Sequence, residues 1–129
     1  MEVRKAVIGE GSDKHITSSG YLVKHKVYKV KNANYPLIRY TNNQVDVVKG
    51  LLINNITFEE LKKLDKFEGK NYFRQFVKVN VNQIDHDAQI YMPNKDMISE
   101  EPWDYEQWYK YDMQKFFSNE FDLNGVREV

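Results

Sequence analysis

Along much of this chain apolar and polar residues alternate with a period of two, and in a few stretches the period lengthens to that of a helix. Residues 1–9 read as a short helix with Val3, Ala6 and Val7 on one side, ended by Gly9 and Gly11. Residues 11–19 are polar and read as loop. Residues 20–30, GYLVKHKVYKV, follow a strand template that puts Tyr21, Val23, His25 and Val27 on one face, with His25 expected to be hydrogen-bonded and partly buried. A turn at 31–34 leads into 35–40, YPLIRY, whose proline suits an edge or irregular strand. Asn42 and Asn43 tolerate positive φ and signal a hairpin. Residues 44–53 return as a strand in which Val45, Val47 and Leu51 change face around Gly50, marking a bulge there. Further on, 73–81 place Gln75, Val77, Val79 and Val81 on one face, 82–87 read as a turn, and 88–91 as a short return strand closed by Pro93.

Between these strands the period lengthens. Thr57 and Glu60 form a capping-box pattern, and Gly69 is a C-terminal stop. At about 100° per residue, Glu68 projects within roughly 20° of Leu61 and 40° of Leu64, the side chains a helix would turn to the core, with Phe58 flanking the same stripe. A carboxylate placed there loses hydration, and Asp65 one turn earlier adds like charge near the negative end of the helix dipole. The spacing leaves two readings open. Glu68 is past a frayed helix end, in water or in an ordinary ion pair; or it is a semi-buried carboxylate whose pKa is tuned for proton transfer.

In the tail, Tyr105, Tyr109, Met113 and Phe116 recur at helical spacing. This predicts a C-terminal helix packed over one side of the sheet, with Trp103 anchoring its start. The competing reading, a base-stacking surface, is opposed by Asp104, Glu106 and Asp112, which would repel phosphate. Strands joined mostly by short turns and interrupted by one helix predict a small antiparallel sheet or barrel.

Composition narrows the classes. The 129 residues suit one domain, and 41% hydrophobic with 14% aromatic residues suits a soluble globular fold. Lys+Arg and Asp+Glu both number 19, so no long-range field is available to hold a nucleic acid. Cysteine is absent, which removes disulfides and thiolate chemistry and fits a reducing compartment. No apolar run approaches the ~20 residues that cross a membrane, and residues 1–11 lack a signal peptide's apolar core. A cytoplasmic location is the resulting expectation. His15, His25 and His86 stand at no metal-ligand spacing, and the group Asp85, His86 and Asp87 reads as a solvated turn rather than a cation site. No GxSxG, P-loop or GxGxxG occurs.

The block LxxLDxFEGxxYxR over residues 61–74 resembles the γ-glutamylcyclotransferase-like family, most closely its γ-glutamylamine cyclotransferase branch. Its surroundings are similar too: Tyr35 and Pro36 ending an extended segment, a strand entering a helix at 48–52, A-x-I-Y at 88–91, and a PWD tail at Pro102, Trp103 and Asp104. The resemblance implies an α+β fold, a small mixed, mainly antiparallel β-barrel with flanking helices, in one domain over 1–129. It implies Glu68 as general acid/base, and it inclines the choice above toward the second reading. Tyr72 and Arg74 follow as substrate-binding or supporting residues. The implied reaction releases 5-oxoproline from a γ-glutamyl amine or related small molecule without a cofactor, because nucleophile and electrophile share one molecule. The implied partner is that small molecule, with neither nucleic acid nor membrane. One departure accompanies the likeness: the family opens with a strand and a Y-G-T-L loop, which does not occur here, so the chain is expected to begin at the helix after that loop. A catalytically inactive member acting as a binding or interaction module is the alternative expectation.

Overall fold

The fold is described by a computed structural model covering residues 2–9, 15–94, 101–123 and 125. Its elements run α1 (Glu2–Ile8), β1 (Ile16–Val23), β2 (His25–Lys29), β3 (Pro36–Tyr40), β4 (Val47–Asn54), α2 (Phe58–Glu68) and a 3₁₀ turn (Gly69–Asn71). They continue through β5 (Tyr72–Val81), β6 (Ile84–Pro93), β7 (Glu101–Pro102), α3 (Tyr105–Gln107), a π-helical turn (Trp108–Asp112) and α4 (Met113–Asn119). Every strand pair is antiparallel. A four-stranded sheet has the order β4-β1-β5-β6, and a three-stranded sheet β3-β2-β7. The expected α+β, antiparallel architecture is present, but among the described residues the two sheets do not hydrogen-bond into a closed barrel.

The expected strand over 20–30 is two strands, because Lys24 bends the chain at φ +63°. The bend hands the backbone from one sheet to the other and changes which side chains face inward. Gly20 and Leu22 are buried before it and His25 after it, while Tyr21 and Val23 point outward. His25 is buried as expected; its ring Nδ1 donates to the Val23 carbonyl at 2.7 Å. Gly50 makes no bulge. It sits opposite Gly20 in an unbroken β1–β4 register, and a Cβ at Gly20 would fall 2.6 Å from Val79 Cγ1 on β5. Glycine there lets β1 and β5 approach. Asn42 does adopt positive φ, at 55°, yet the strands on either side of it pair elsewhere, β3 with β2 and β4 with β1. The proline-bearing β3 is an edge strand, as its sequence requires.

Strand β6 is longer than its apolar pattern indicates, and Asp85, His86 and Asp87 lie within it rather than in a turn. Cross-strand partners hold the two aspartates: Asn80 donates to Asp85 at 3.1 Å, and Lys78 is ion-paired with Asp87. Only Asn82 and Gln83, both at positive φ, turn the hairpin.

The main core lies between α1, α2, the C-terminal helices and the β2–β3 turn. Val7, Ile8, Val30, Ala33, Tyr35, Leu37, Phe67, Trp108 and Phe116 are buried there. Val7 meets the expectation for α1, Ala6 is exposed, and the side chain of Val3 lies outside the described residues. In the tail, half of the expected stripe is present: Phe116 is buried and Met113 packs against the core. The π-helical turn fits an extra residue into the turn, and Trp108 is buried in place of Tyr105 and Tyr109, which are 51% and 48% exposed. Trp108 Nε1 donates to the Asn34 carbonyl at 2.6 Å, and Trp103 packs against its ring at 5.9 Å. Asn34 also donates its backbone N–H to Glu120 Oε1 at 2.7 Å, which ties the β2–β3 turn to the end of α4 through a fully enclosed carboxylate. Among the described residues no helix is long and apolar enough to cross a membrane.

Candidate active site

Helix α2 carries the site, and its start is fixed by the sequence as expected. Thr57 Oγ1 accepts from the Glu60 N–H at 3.2 Å, and Glu60 Oε1 accepts from the Thr57 N–H at 3.0 Å. His15 Nε2 adds a 2.8 Å contact to the same Glu60 oxygen, tying the segment before β1 to this cap. These bonds, the Thr57 one first, hold the Glu60 carboxyl below its ordinary value. At the far end Gly69 takes φ +73° and donates its N–H to the Asp65 carbonyl. The helix is therefore intact through Glu68.

The inward side of α2 serves both the core and a cavity. Phe67 is buried in the aromatic core with Leu64 packed against it, and both join Leu61 and Glu68 in lining a cavity of about 610 Å³. The wall opposite comes from β1, β4, β5 and β6, including Gly20, Leu22, Val48, Val77, Val79 and Ile90. Phe58 is not part of the stripe: it is 69% exposed, beneath the Lys62 ammonium. A volume of this size suits a small molecule.

Glu68 is held in its protonated form more firmly than an ordinary glutamate. Burial first, and then the negative charge of Asp65, raise its pKa from 4.5 to about 7. Among the described residues no cation offsets this. Arg74, which also lines the cavity, spends its guanidinium on Asp65, with Nε to Oδ1 at 2.8 Å and Nη2 to Oδ2 at 3.1 Å, and donates Nη1 to Gln89 Oε1 at 2.6 Å. The Tyr91 hydroxyl donates to the same Asp65 oxygen at 2.5 Å. Burial, that hydrogen bond and the neighbouring carboxylates push the Tyr91 phenol far up, so it is a donor and never a phenolate at physiological pH.

Of the residues singled out in the sequence, Glu68 and Arg74 meet at the cavity. Tyr72 is in the adjoining core instead; its hydroxyl donates to the Pro36 carbonyl at 3.0 Å, and burial and the charge of Glu68 keep it protonated. Sequence reasoning missed Tyr91 and Gln89 as partners of the Asp65–Arg74 pair. The A-x-I-Y match contains both, and strand parity sets Tyr91 directly across from Arg74 in the β5–β6 register. It also missed Arg4, which reaches the cavity from α1. Among the described residues no cluster of three or more His, Cys, Asp or Glu is arranged to hold a metal ion.

Comparisons with known proteins bear on the family and the fold. Protein AIG2 A of Arabidopsis thaliana is 31% identical over 104 residues, covering 76% of this chain and 59% of its own length. AIG2-like protein C of the same plant is 32% identical over 95 residues, covering 69% and 53%. The chain thus spans little more than half the length of these curated relatives. Solution structures of two Arabidopsis thaliana proteins superpose on 80% of the chain, with TM-scores of 0.55 and 0.50 at 25% and 26% identity; 64% and 70% of those proteins are covered. Residues 3–110 match the family described as "Gamma-glutamyl cyclotransferase, AIG2-like", with Arg4, Asp65, Glu68, Arg74 and Tyr91 all inside the match, and the chain belongs to that family.

Proposed function

We propose that the protein converts a γ-glutamyl amine, or a related small γ-glutamyl compound, into 5-oxoproline and a free amine, with Glu68 as general acid and base. The observation that carries this reading is a carboxyl with a pKa of about 7 beside a cavity of small-molecule size, with no cation committed to it. The substrate's α-amine attacks its own γ-carbonyl carbon, and the bond from that carbon to the departing nitrogen breaks. The α-ammonium carries three hydrogens and the lactam nitrogen keeps one. Two protons therefore leave the attacking nitrogen, and the amine, released as an ammonium, takes both. A carboxyl that ionises near neutral pH can accept each and hand it on.

The rest of the wall supports this role. Arg74 and Tyr91 clamp Asp65 with three hydrogen bonds, which fixes the position of this carboxylate one turn from Glu68. Tyr72 ties the start of β5 to β3 through the Pro36 carbonyl. Ring closure is intramolecular, so positioning supplies much of the rate and no cofactor is called for.

The test is 5-oxoproline release from a panel of γ-glutamyl amines. Glu68→Gln keeps the side chain's size and removes its proton transfer, and is expected to lower kcat by about 10²- to 10⁴-fold. Release at an unchanged rate removes Glu68 from the chemistry. No release from any member of the panel by the wild-type chain favours the alternative, a family member that binds without turning over.

A further inference from the structure

The charged side chains on the cavity wall are Arg4, Glu68, Arg74 and Asp87. Two of them are already answered within the protein, Arg74 by Asp65 and Gln89, and Asp87 by Lys78. Arg4 is different. Its Nε and Nη1 are buried and have no hydrogen-bond partner among the described residues. It does not offset Glu68 either, whose raised pKa is set by burial and Asp65 with no cation opposing them. A guanidinium cannot shed its proton to escape burial as a lysine can, so buried donors of this kind call for an acceptor that the described residues do not supply. Among the described residues the cavity thus presents two unanswered guanidinium donors, on α1, and one acid with no cation beside it, on α2. That is the complement of an α-amino acid end, which carries a carboxylate and an ammonium on one carbon.

We propose that Arg4 is the carboxylate-binding residue of this cavity: it takes the free α-carboxylate of the ligand and so selects molecules with an unblocked amino-acid end. The assignment deepens the reading of Glu68 above and rests on it for the identity of the ligand, but not for the presence of an anion site. With the carboxylate on Arg4, the α-amine bonded to the same carbon is directed to the Glu68 side of the cavity. A γ-glutamyl compound whose α-carboxylate is an amide or ester would lose that anchor.

Two measurements separate the parts. The first is binding, followed by NMR or calorimetry, of 5-oxoproline, its carboxamide and glutarate, a dicarboxylate with no amine. The wild-type chain is expected to bind 5-oxoproline about 10- to 100-fold more tightly than the carboxamide, the range of one charge-assisted contact, and to bind glutarate. Arg4→Gln should erase both preferences and Arg4→Lys should restore part of them, with thermal melts confirming that each variant is folded. A wild-type chain that binds the carboxamide as well as the acid, or neither acid at all, overturns the proposal even if Arg4→Gln does not fold. So does a folded Arg4→Gln that keeps the discrimination.

The second measurement is turnover. Arg4→Gln should raise KM for a γ-glutamyl amine while the pH dependence governed by Glu68 stays in place. Glutarate binding that needs Arg4, without any 5-oxoproline release by the wild type, leaves this site standing and removes the proposed reaction. Release with KM unchanged in Arg4→Gln leaves the reaction standing and removes the site.

Discussion

Two glutamates of this protein are drawn in from water, one completely and one in part, and they end in opposite circumstances. Glu120 is 0% exposed, locked at the end of α4 between the aromatic core and the β2–β3 turn, with Oε1 accepting from the Asn34 N–H and side-chain amide. Glu68 stands at the end of α2 with a cavity in front of it and, among the described residues, no hydrogen-bonded cation beside it. Burial raises the pKa of both carboxyls. In Glu120 the Asn34 bonds work against that shift, whereas in Glu68 the charge of Asp65 adds to it. A perturbed carboxyl alone therefore does not mark a catalytic group. Access for a small molecule, and a surrounding that leaves the proton mobile, make the distinction.

The comparison can be broken by exchanging consequences. Glu120→Ala strands the buried Asn34 N–H and opens a void, and is expected to cost about 2–4 kcal/mol in denaturant or thermal unfolding, with activity per folded molecule unchanged. Glu120→Gln keeps an acceptor in place and should cost far less. Glu68→Gln should do the reverse: activity falls while stability rises. A native pKa of about 7 lies above the unfolded value of 4.5, so the folded chain binds the extra proton between those limits and its stability declines as pH rises through them. The substitution removes that decline. The variant should match the wild type near pH 4 and exceed it by on the order of 1–3 kcal/mol at pH 8, the lower end reflecting residual solvent contact of a half-buried side chain. A loss of stability at pH 8 would place Glu68 in the same structural class as Glu120.

The smallest effect sharpens the comparison from its other side. Asp65→Asn removes the charge that adds to the raised pKa of Glu68. The acid limb of the pH–activity profile should move to lower pH, and losing the bidentate pair with Arg74 should cost about 1–2 kcal/mol. An acid limb that does not move would detach Asp65 from the tuning of Glu68.

What the sequence discloses follows from how local each signal is. The cap of α2, its glycine stop and the inward direction of Glu68 all depend on spacing within one helix, and they are legible. Strand β3 at an edge follows from Pro36 alone. The break at Lys24 is not legible, because a lysine at positive φ carries no marker that a glycine or asparagine would. The π-helical turn at Trp108–Asp112 is equally silent, and it replaces Tyr105 and Tyr109 in the core with Trp108. In β6 the charged run Asp85, His86 and Asp87 conceals a strand, since its partners sit across the ladder on β5. The site shows the same division. Glu68 and Arg74 lie in one short block, whereas Arg4 is 64 residues from Glu68 in sequence and reaches the cavity only because α1 packs on α2.

The central claim is most directly tested by titrating the Glu68 carboxyl itself, with ¹³C-labelled glutamate followed by NMR and the resonance assigned by its loss in Glu68→Gln. The account predicts a midpoint near pH 7. A midpoint near 4.5, the value of a glutamate in open water, would contradict it.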